Sequence, residues 1–130
     1  MNALASKSEW LLRVALASVF IFHGIGKFAG MGIAGFAEMM GLPYIVALLV
    51  GLAEVGGGFG IIIGGFTSGL ITRLSGLALI PVMLGAIFMV HWGQWSFVAS
   101  ETHPMGGAEF QVVLLLLAMF FVLRGNENID

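Results

Sequence analysis

The chain has 130 residues, of which 59% are hydrophobic and 9% are charged, and its formal net charge is −2. Soluble domains contain about 25% charged residues, so this composition excludes an ordinary soluble fold and a basic nucleic-acid-binding domain. The chain has no cysteine, which excludes a disulfide scaffold, a thiolate metal site and a CxxC redox centre. We therefore expect one integral membrane domain over residues 1–130, in which electron chemistry needs a bound cofactor.

Four apolar stretches are long enough, or nearly so, to cross a hydrocarbon core of about 30 Å as helices. They run from about residue 10 to 29, 43 to 66, 70 to 92 and 107 to 123, and the last is the shortest. The connections are a glycine-rich segment at 30–42, a turn at 67–69 and a polar stretch at 93–106. The predicted fold class is all-α, an integral membrane four-helix bundle.

Lysine and arginine residues predict the orientation, because they accumulate on the cytoplasmic side of membrane proteins. In an alternating bundle four of the five lie on one side: Lys7, Arg13, Arg73 and Arg124. We therefore expect both termini to be cytoplasmic, in the inner membrane of a bacterium or archaeon. A cleaved signal peptide is the alternative for the first span, but the apolar run is long for one and ends with His23 and Lys27.

The few ionisable residues in the spans are the most informative feature of the sequence. Each one costs about 2.5–3.5 kcal/mol at a helix centre and usually faces the bundle interior with a partner. Six of them can face one interior, mostly in its outer half: Arg13, His23, Lys27, Glu54, His91 and Glu109. Their depths predict that Glu54 pairs with Arg13 or His23, and that Glu109 pairs with Lys27. Such pairs would border a polar pocket.

Titratable groups in an apolar bundle are candidates for acid–base chemistry. We expect His91, Glu109 and Glu54 to be the catalytic candidates. Arg13, His23 and Lys27 are the candidates for binding an anionic or carbonyl group of a substrate or quinone. The alternative is structural, since buried ion pairs also fix helix register.

The second span carries Gly56, Gly60 and Gly64 at GxxxG spacing. Such a row permits close packing of another helix. It is compatible with homodimerisation, and we expect a larger membrane protein complex or a homo-oligomer, with the lipid bilayer as the surrounding partner. No nucleic-acid partner is expected.

Several short motifs, in this order along the chain, resemble those of the DoxX family. They are an arginine early in the first span (Arg13), His-Gly-x-Gly-Lys-Phe (23–28), Ala-Glu-x-Gly-Gly (53–57), Thr-Arg (72–73) and Gly-Gly-x-Glu (106–109). Each motif alone is weak, whereas their order and spacing over nearly the whole chain are fairly specific. The family pattern carries over to Arg13, Gly24, Lys27, Glu54, Arg73, His91 and Glu109.

Members of that family are small four-helix membrane proteins related to subunits of an archaeal thiosulfate:quinone oxidoreductase. The resemblance implies a membrane subunit linked to quinone or sulfur redox metabolism, or to oxidative-stress defence, with quinone as the implied cofactor. The alternative is a non-catalytic accessory subunit docked on a larger membrane enzyme, and a small transporter is a further one. No metal site is predicted, and haem is not expected, because His23 and His91 lie at different depths.

Overall fold

The computed structural model describes residues 3–126, and this part of the chain is helical without strands. The elements are α1 (Ala3–Ile25), a π-helical turn (Gly26–Gly30), α2 (Gly32–Met40), α3 (Tyr44–Thr67), α4 (Gly69–Met89) and α5 (Glu109–Arg124). The predicted all-α class is therefore confirmed for the described residues.

Three helical segments within the described residues are long and apolar enough to cross a membrane: Ala3–Gly30, Tyr44–Thr67 and Gly69–Met89. The fourth predicted span corresponds to α5, which has 16 residues. At about 1.5 Å per residue its length is about 24 Å, less than the thickness of the hydrocarbon core. The fourth crossing and the cytoplasmic termini remain predictions.

The glycine-rich segment 30–42, expected as a connection, contains the helix α2. Ile33, Phe36 and Ala37 form its buried face, at the i, i+3 and i+4 spacing of an amphipathic helix, and cluster with Ala47 of α3. The helix ends at Gly41, whose φ of 66° lies in the left-handed region that favours glycine. The high glycine content of this segment did not predict a helix, and packing against α3 stabilises the one that forms.

α3 lies at the centre of the packing, since α1, α2 and α4 all pack against it, while α5 packs mainly on α4. Glycines allow these close approaches. A Cβ at Gly58 would lie 3.1 Å from the backbone nitrogen of Ile21 in α1, and one at Gly57 would lie 3.1 Å from the carbonyl oxygen of Ser75 in α4. The helix backbones therefore leave no room for larger side chains at these positions.

Most of the Gly56/Gly60/Gly64 row packs against another helix of the same chain. A Cβ at Gly60 would collide with Ser75, and one at Gly64 would lie 2.7 Å from the Thr72 nitrogen, both on α4. Gly56 alone of the three has open space beside it. Two of the three glycines therefore serve the α3–α4 interface, which leaves Gly56 as the part of the row that is open to another chain.

A buried apolar cluster fills the middle of the bundle and separates its two ends. Its members come from α1, α3, α4 and α5: Leu16, Ala17, Phe20, Ile61, Leu79, Met83, Leu114, Ala118 and Phe121. On one side of this cluster α1 carries Arg13, and on the other it carries His23 and Lys27. The ionisable residues expected to share one interior are thus divided between two ends.

Candidate functional site

A cavity of about 950 Å³ lies at the end of the bundle where α1 ends and α5 begins. Six polar residues contribute to its lining: Ser18, His23, Lys27, Glu54, His91 and Gln111. The rest of its wall is formed mainly by Phe, Met, Ile, Val and Leu side chains. We call it the Lys27 cavity. Ligand sites are typically apolar concavities of this size with a few polar groups that orient the ligand.

The wall of the Lys27 cavity holds a buried ion pair. Lys27 Nζ lies 2.7 Å from Glu54 Oε1, and the two side chains are 16% and 4% exposed. The ammonium also lies 4.8 Å from the centroid of the Phe36 ring on α2. The pair therefore joins the end of the first helical segment to the middle of α3, with α2 beside it.

Two local features bring Lys27 to Glu54. At Gly24 the backbones of α1 and α3 are so close that a Cβ there would lie 3.1 Å from Glu54 Cβ. Directly afterwards the chain passes into the π-helical turn that contains Lys27. A π turn is wider than an α turn, so it changes the direction in which the following side chains point. His23, predicted to share a face with Lys27, is exposed while Lys27 is half-buried.

The predicted pairing of Glu54 with Arg13 is wrong. Glu54 lies at the level of Gly24, which is about 16 Å further along α1 than Arg13. Arg13 instead lies beside Gly65 near the end of α3, where a Cβ on that glycine would be 3.0 Å from Arg13 Nε. Arg13 therefore has no place in the wall of the Lys27 cavity, and its proposed binding role has no support from the geometry.

The Arg13 guanidinium is fully buried and has partners from four helices or their ends. Nη1 donates to the Ile61 carbonyl oxygen at 2.6 Å and to Thr72 Oγ1 at 3.0 Å. Nη2 donates to Glu9 Oε1 at 2.5 Å and to Asn126 Oδ1 at 2.7 Å. We call these residues the Arg13 cluster. Because a buried charge is stable only when paired, this network indicates a structural role.

Sequence reasoning did not identify three partners of Arg13, namely Glu9, Asn126 and Thr72, although Thr72 belongs to the Thr-Arg motif. The i,i+4 spacing of Glu9 and Arg13 was a usable signal for the first. Asn126 was not recognisable from the sequence, since it follows the end of α5 and donates to the Gly64 carbonyl oxygen at 2.7 Å. Long-range hydrogen bonds of this kind depend on how the helices are arranged.

His91 lies just after α4 and is buried in the wall of the Lys27 cavity. Its Nδ1 is 2.8 Å from the Gly106 carbonyl oxygen. A carbonyl can only accept a hydrogen bond, so Nδ1 carries the proton, and in the neutral ring Nε2 has a free lone pair. Nε2 has no hydrogen-bond partner within residues 3–126, which leaves it available to a ligand.

Glu109 is the first residue of α5, and its predicted pairing with Lys27 is wrong. Its Oε1 accepts a hydrogen bond from the Phe97 nitrogen at 3.3 Å. The chain after α4 folds back on itself here, since the Gly107 nitrogen donates to the Ser96 carbonyl oxygen at 2.7 Å. A Cβ on Gly107 would collide with the same backbone. This fold-back, residues 90–108, turns Glu109 toward Phe97.

Of the six predicted site residues, the structure thus brings four to the Lys27 cavity: His23, Lys27, Glu54 and His91. Glu109 lies in a neighbouring pocket and Arg13 at the other end of the bundle. Gln111, which the sequence did not single out, also lines the cavity. Within the part of the chain that the structure describes, no group of three or more His, Asp or Glu side chains could hold a metal ion.

Comparison with known proteins gives two matches. The family model described as DoxX matches residues 9–92. The chain is also 33% identical over 128 residues to a protein of Bacillus subtilis (strain 168) named "Putative oxidoreductase CatD", an alignment that covers 98% of this chain and 86% of that protein. No solved structure matches.

Proposed function

The chain belongs to the DoxX family, and from that premise we propose that it is a membrane redox protein that binds a quinone in the Lys27 cavity. The observation that carries the proposal is the Lys27–Glu54 ion pair in the wall of a largely apolar cavity. Such a pair is expensive to bury and is weak evidence for stability by itself. Its position beside a cavity of ligand size instead favours a binding role.

The residues present fit a quinone. Its ring and isoprenoid tail are apolar, as is most of the cavity wall, and its two carbonyl oxygens need hydrogen-bond donors. Lys27 has three donor positions on Nζ and uses one toward Glu54, so it can also donate to a carbonyl oxygen. When bound, a quinone supplies the two-electron chemistry that a chain without cysteine lacks.

Glu54 and His91 are the proposed proton-handling groups. Glu54 Oε2 has no partner within residues 3–126, and the carboxylate beside Lys27 can accept or release a proton at that atom. The hydrogen bond from Nδ1 to Gly106 fixes the His91 ring, so that protons are exchanged at Nε2. His23, exposed at the cavity rim, would connect the site to solvent.

Reduction of the quinone consumes two electrons and two protons. The residues of the cavity can relay the protons, and we propose that the electrons come from a small sulfur substrate or from a partner subunit. The second case corresponds to the accessory-subunit alternative, in which the chain supplies the quinone site of a larger complex. We place the protein in the inner membrane of a bacterium or archaeon, with four crossings and cytoplasmic termini.

Direct binding tests this proposal. The purified full chain in detergent is titrated with decylubiquinone, and quenching of tryptophan fluorescence gives Kd. Lys27→Met removes the donor and is expected to raise Kd at least about tenfold, the loss of one charge-assisted hydrogen bond. Lys7→Met, at an exposed position on the other end of α1, is the matched control and is expected to leave Kd unchanged. Equal Kd values for the two variants would contradict the proposal.

A further inference from the structure

The fold-back 90–108 presents large apolar side chains to its surroundings, although most of it was expected as a polar connection. Five of them are each 59–66% exposed: Trp92, Trp95, Phe97, Val98 and Met105. A segment in water seldom exposes so many large apolar groups together, and tryptophan is enriched at the membrane–water interface. The sequence of the fold-back contains no lysine or arginine. Its outer surface therefore suits lipid better than water.

This apolar surface is continuous with the exposed faces of the neighbouring helices. Phe88, at the end of α4, is exposed, and its ring centroid lies 5.0 Å from that of Trp92. On the other side of the fold-back, Phe110 and Val113 of α5 are exposed as well. Because α4 is long and apolar enough to cross a membrane, lipid that surrounds its end would also reach the fold-back.

Much of the backbone of the fold-back is paired within the segment and the start of α5. Gln94 Nε2 donates to the carbonyl oxygens of Ser96 and Val98, at 2.9 and 2.8 Å. The backbone nitrogens of residues 107–109 donate to the carbonyl oxygens of residues 94–96. Irregular backbone near a bilayer is stable only when its polar groups have such partners. The hydrogen bonding therefore permits the segment to leave bulk water.

The position of the fold-back also bears on the shortness of α5. This helix has 16 residues and is about 24 Å long, which is about 6 Å less than the hydrocarbon core. The fold-back directly precedes its first residue, Glu109. Aromatic side chains that reach toward the acyl chains from the headgroup region would cover this shortfall, because flanking residues can compensate for a short span.

We propose that the fold-back 90–108 lies in the headgroup region of the bilayer and has lipid as its partner. Trp95, Phe97 and Val98 pack against the upper part of the acyl chains, while Glu101 faces water. This inference rests on the proposed crossing of the membrane by α5 and is independent of quinone binding. It assigns the connection between α4 and α5 to the membrane surface rather than to the aqueous phase.

Single cysteines test the proposal cleanly, because the chain has none of its own. Phe97→Cys, Val98→Cys and Glu101→Cys are reconstituted in phosphatidylcholine vesicles and treated with a membrane-impermeant maleimide. All three positions are exposed on the protein, so a fold-back in water would give equal rates. We expect Phe97→Cys and Val98→Cys to react at least about tenfold more slowly than Glu101→Cys, since apolar surroundings raise the pKa of a thiol and only the thiolate reacts. Equal rates would overturn the proposal.

A fluorescence measurement distinguishes lipid from a protein partner. Trp10→Phe/Trp92→Phe leaves Trp95 as the one tryptophan of the chain. Phosphatidylcholine brominated on the upper part of its acyl chains should quench most of the Trp95 fluorescence, whereas iodide in the water should quench little. Slow labelling of Phe97→Cys without quenching by the brominated lipid would mean that a second copy or another protein covers the fold-back. That result would overturn the lipid assignment.

A separate variant tests the crossing of α5 on which the proposal rests. It combines Glu101→Cys with a cysteine appended after Asp130. If α5 crosses the membrane, the impermeant maleimide outside the vesicles should label only one of the two cysteines in each molecule, whatever the orientation of that molecule. Labelling of both cysteines would contradict the crossing of α5 and overturn the premise, independently of the rates at Phe97→Cys and Val98→Cys.

Discussion

Lys27 and Glu54 form an ion pair, 2.7 Å between Nζ and Oε1, at a point where the chain changes from α to π geometry. The lysine comes from the π-helical turn and the glutamate from the middle of α3, so the pair fixes the two helices at the wall of the Lys27 cavity. The same two side chains thus hold the helices together and form the proposed quinone-binding site. Substitutions of Lys27 or Glu54 are therefore expected to change both stability and quinone binding.

Removing one partner of the pair should be more damaging than removing both. Glu54→Gln or Lys27→Met alone leaves a buried charge without its partner, which costs about 3 kcal/mol. The double variant Lys27→Met/Glu54→Gln should recover most of this loss. Thermal unfolding of the purified variants in detergent measures the effect. Additive losses in the double variant would show that the two side chains are not coupled.

Arg13→Lys should destabilise the protein without weakening quinone binding. A lysine cannot reproduce the planar set of donors that reaches the Ile61 carbonyl oxygen, Thr72 and Asn126, and we expect a loss of about 3 kcal/mol. Arg124→Lys serves as the control, since Arg124 is more exposed and pairs with Glu9 at 3.2 Å. Thermal unfolding and the decylubiquinone titration are compared for both. A higher Kd for decylubiquinone in folded Arg13→Lys would show that Arg13 contributes to quinone binding.

Gly64→Ala should destabilise the bundle, while Gly56→Ala should not. A Cβ at Gly64 meets the backbone of Thr72, so α3 and α4 must separate, at a cost of about 1–3 kcal/mol. Gly56 has open space, and alanine there favours the helix. Thermal unfolding distinguishes the two variants. If Gly56→Ala instead changes the oligomeric state in size-exclusion chromatography, that face of α3 forms a protein interface.

Gly107→Ala should disturb the fold-back 90–108. The added methyl group meets the carbonyl oxygens of Gln94 and Ser96, which cannot move without breaking the hydrogen bonds from Gly107 and Ala108. Gly85→Ala on α4, where nothing lies within 4 Å, is the control. Limited proteolysis should cleave the Gly107 variant faster between residues 90 and 108. Identical cleavage of both variants would mean that the fold-back tolerates the methyl group.

Composition and hydropathy were sufficient to predict the helical class and the long apolar helices, because these properties are summed over many residues. Which ionisable side chains pair with each other was not predictable in the same way. The expected pairing of Lys27 with Glu109 was based on depths counted along continuous α-helices. A π turn at Gly26–Gly30 and a fold-back closed by Gly107 changed the direction of both side chains.

The division of the ionisable residues into two ends was also beyond sequence reasoning. Helical periodicity correctly placed Arg13 and Glu54 in the interior but was wrong for His23, which is exposed, while His91 is buried outside a helix. It does not give the relative heights of residues on different helices. That height depends on where glycines allow close approach, such as Gly24 against α3. Glu9 is the one partner of Arg13 that the sequence could have indicated, because it lies one helical turn before Arg13 on the same helix.

The central claim is that a quinone occupies the Lys27 cavity, and photolabelling tests it most directly. The full chain in detergent is irradiated with an azido-quinone, and the labelled residues are mapped by mass spectrometry. We predict labelling of cavity residues such as Met39, Met89 or Phe110, which decylubiquinone suppresses and Lys27→Met abolishes. Labelling confined to exposed residues outside the cavity, such as Leu49 or Leu52 on α3, and unaffected by decylubiquinone would contradict the claim.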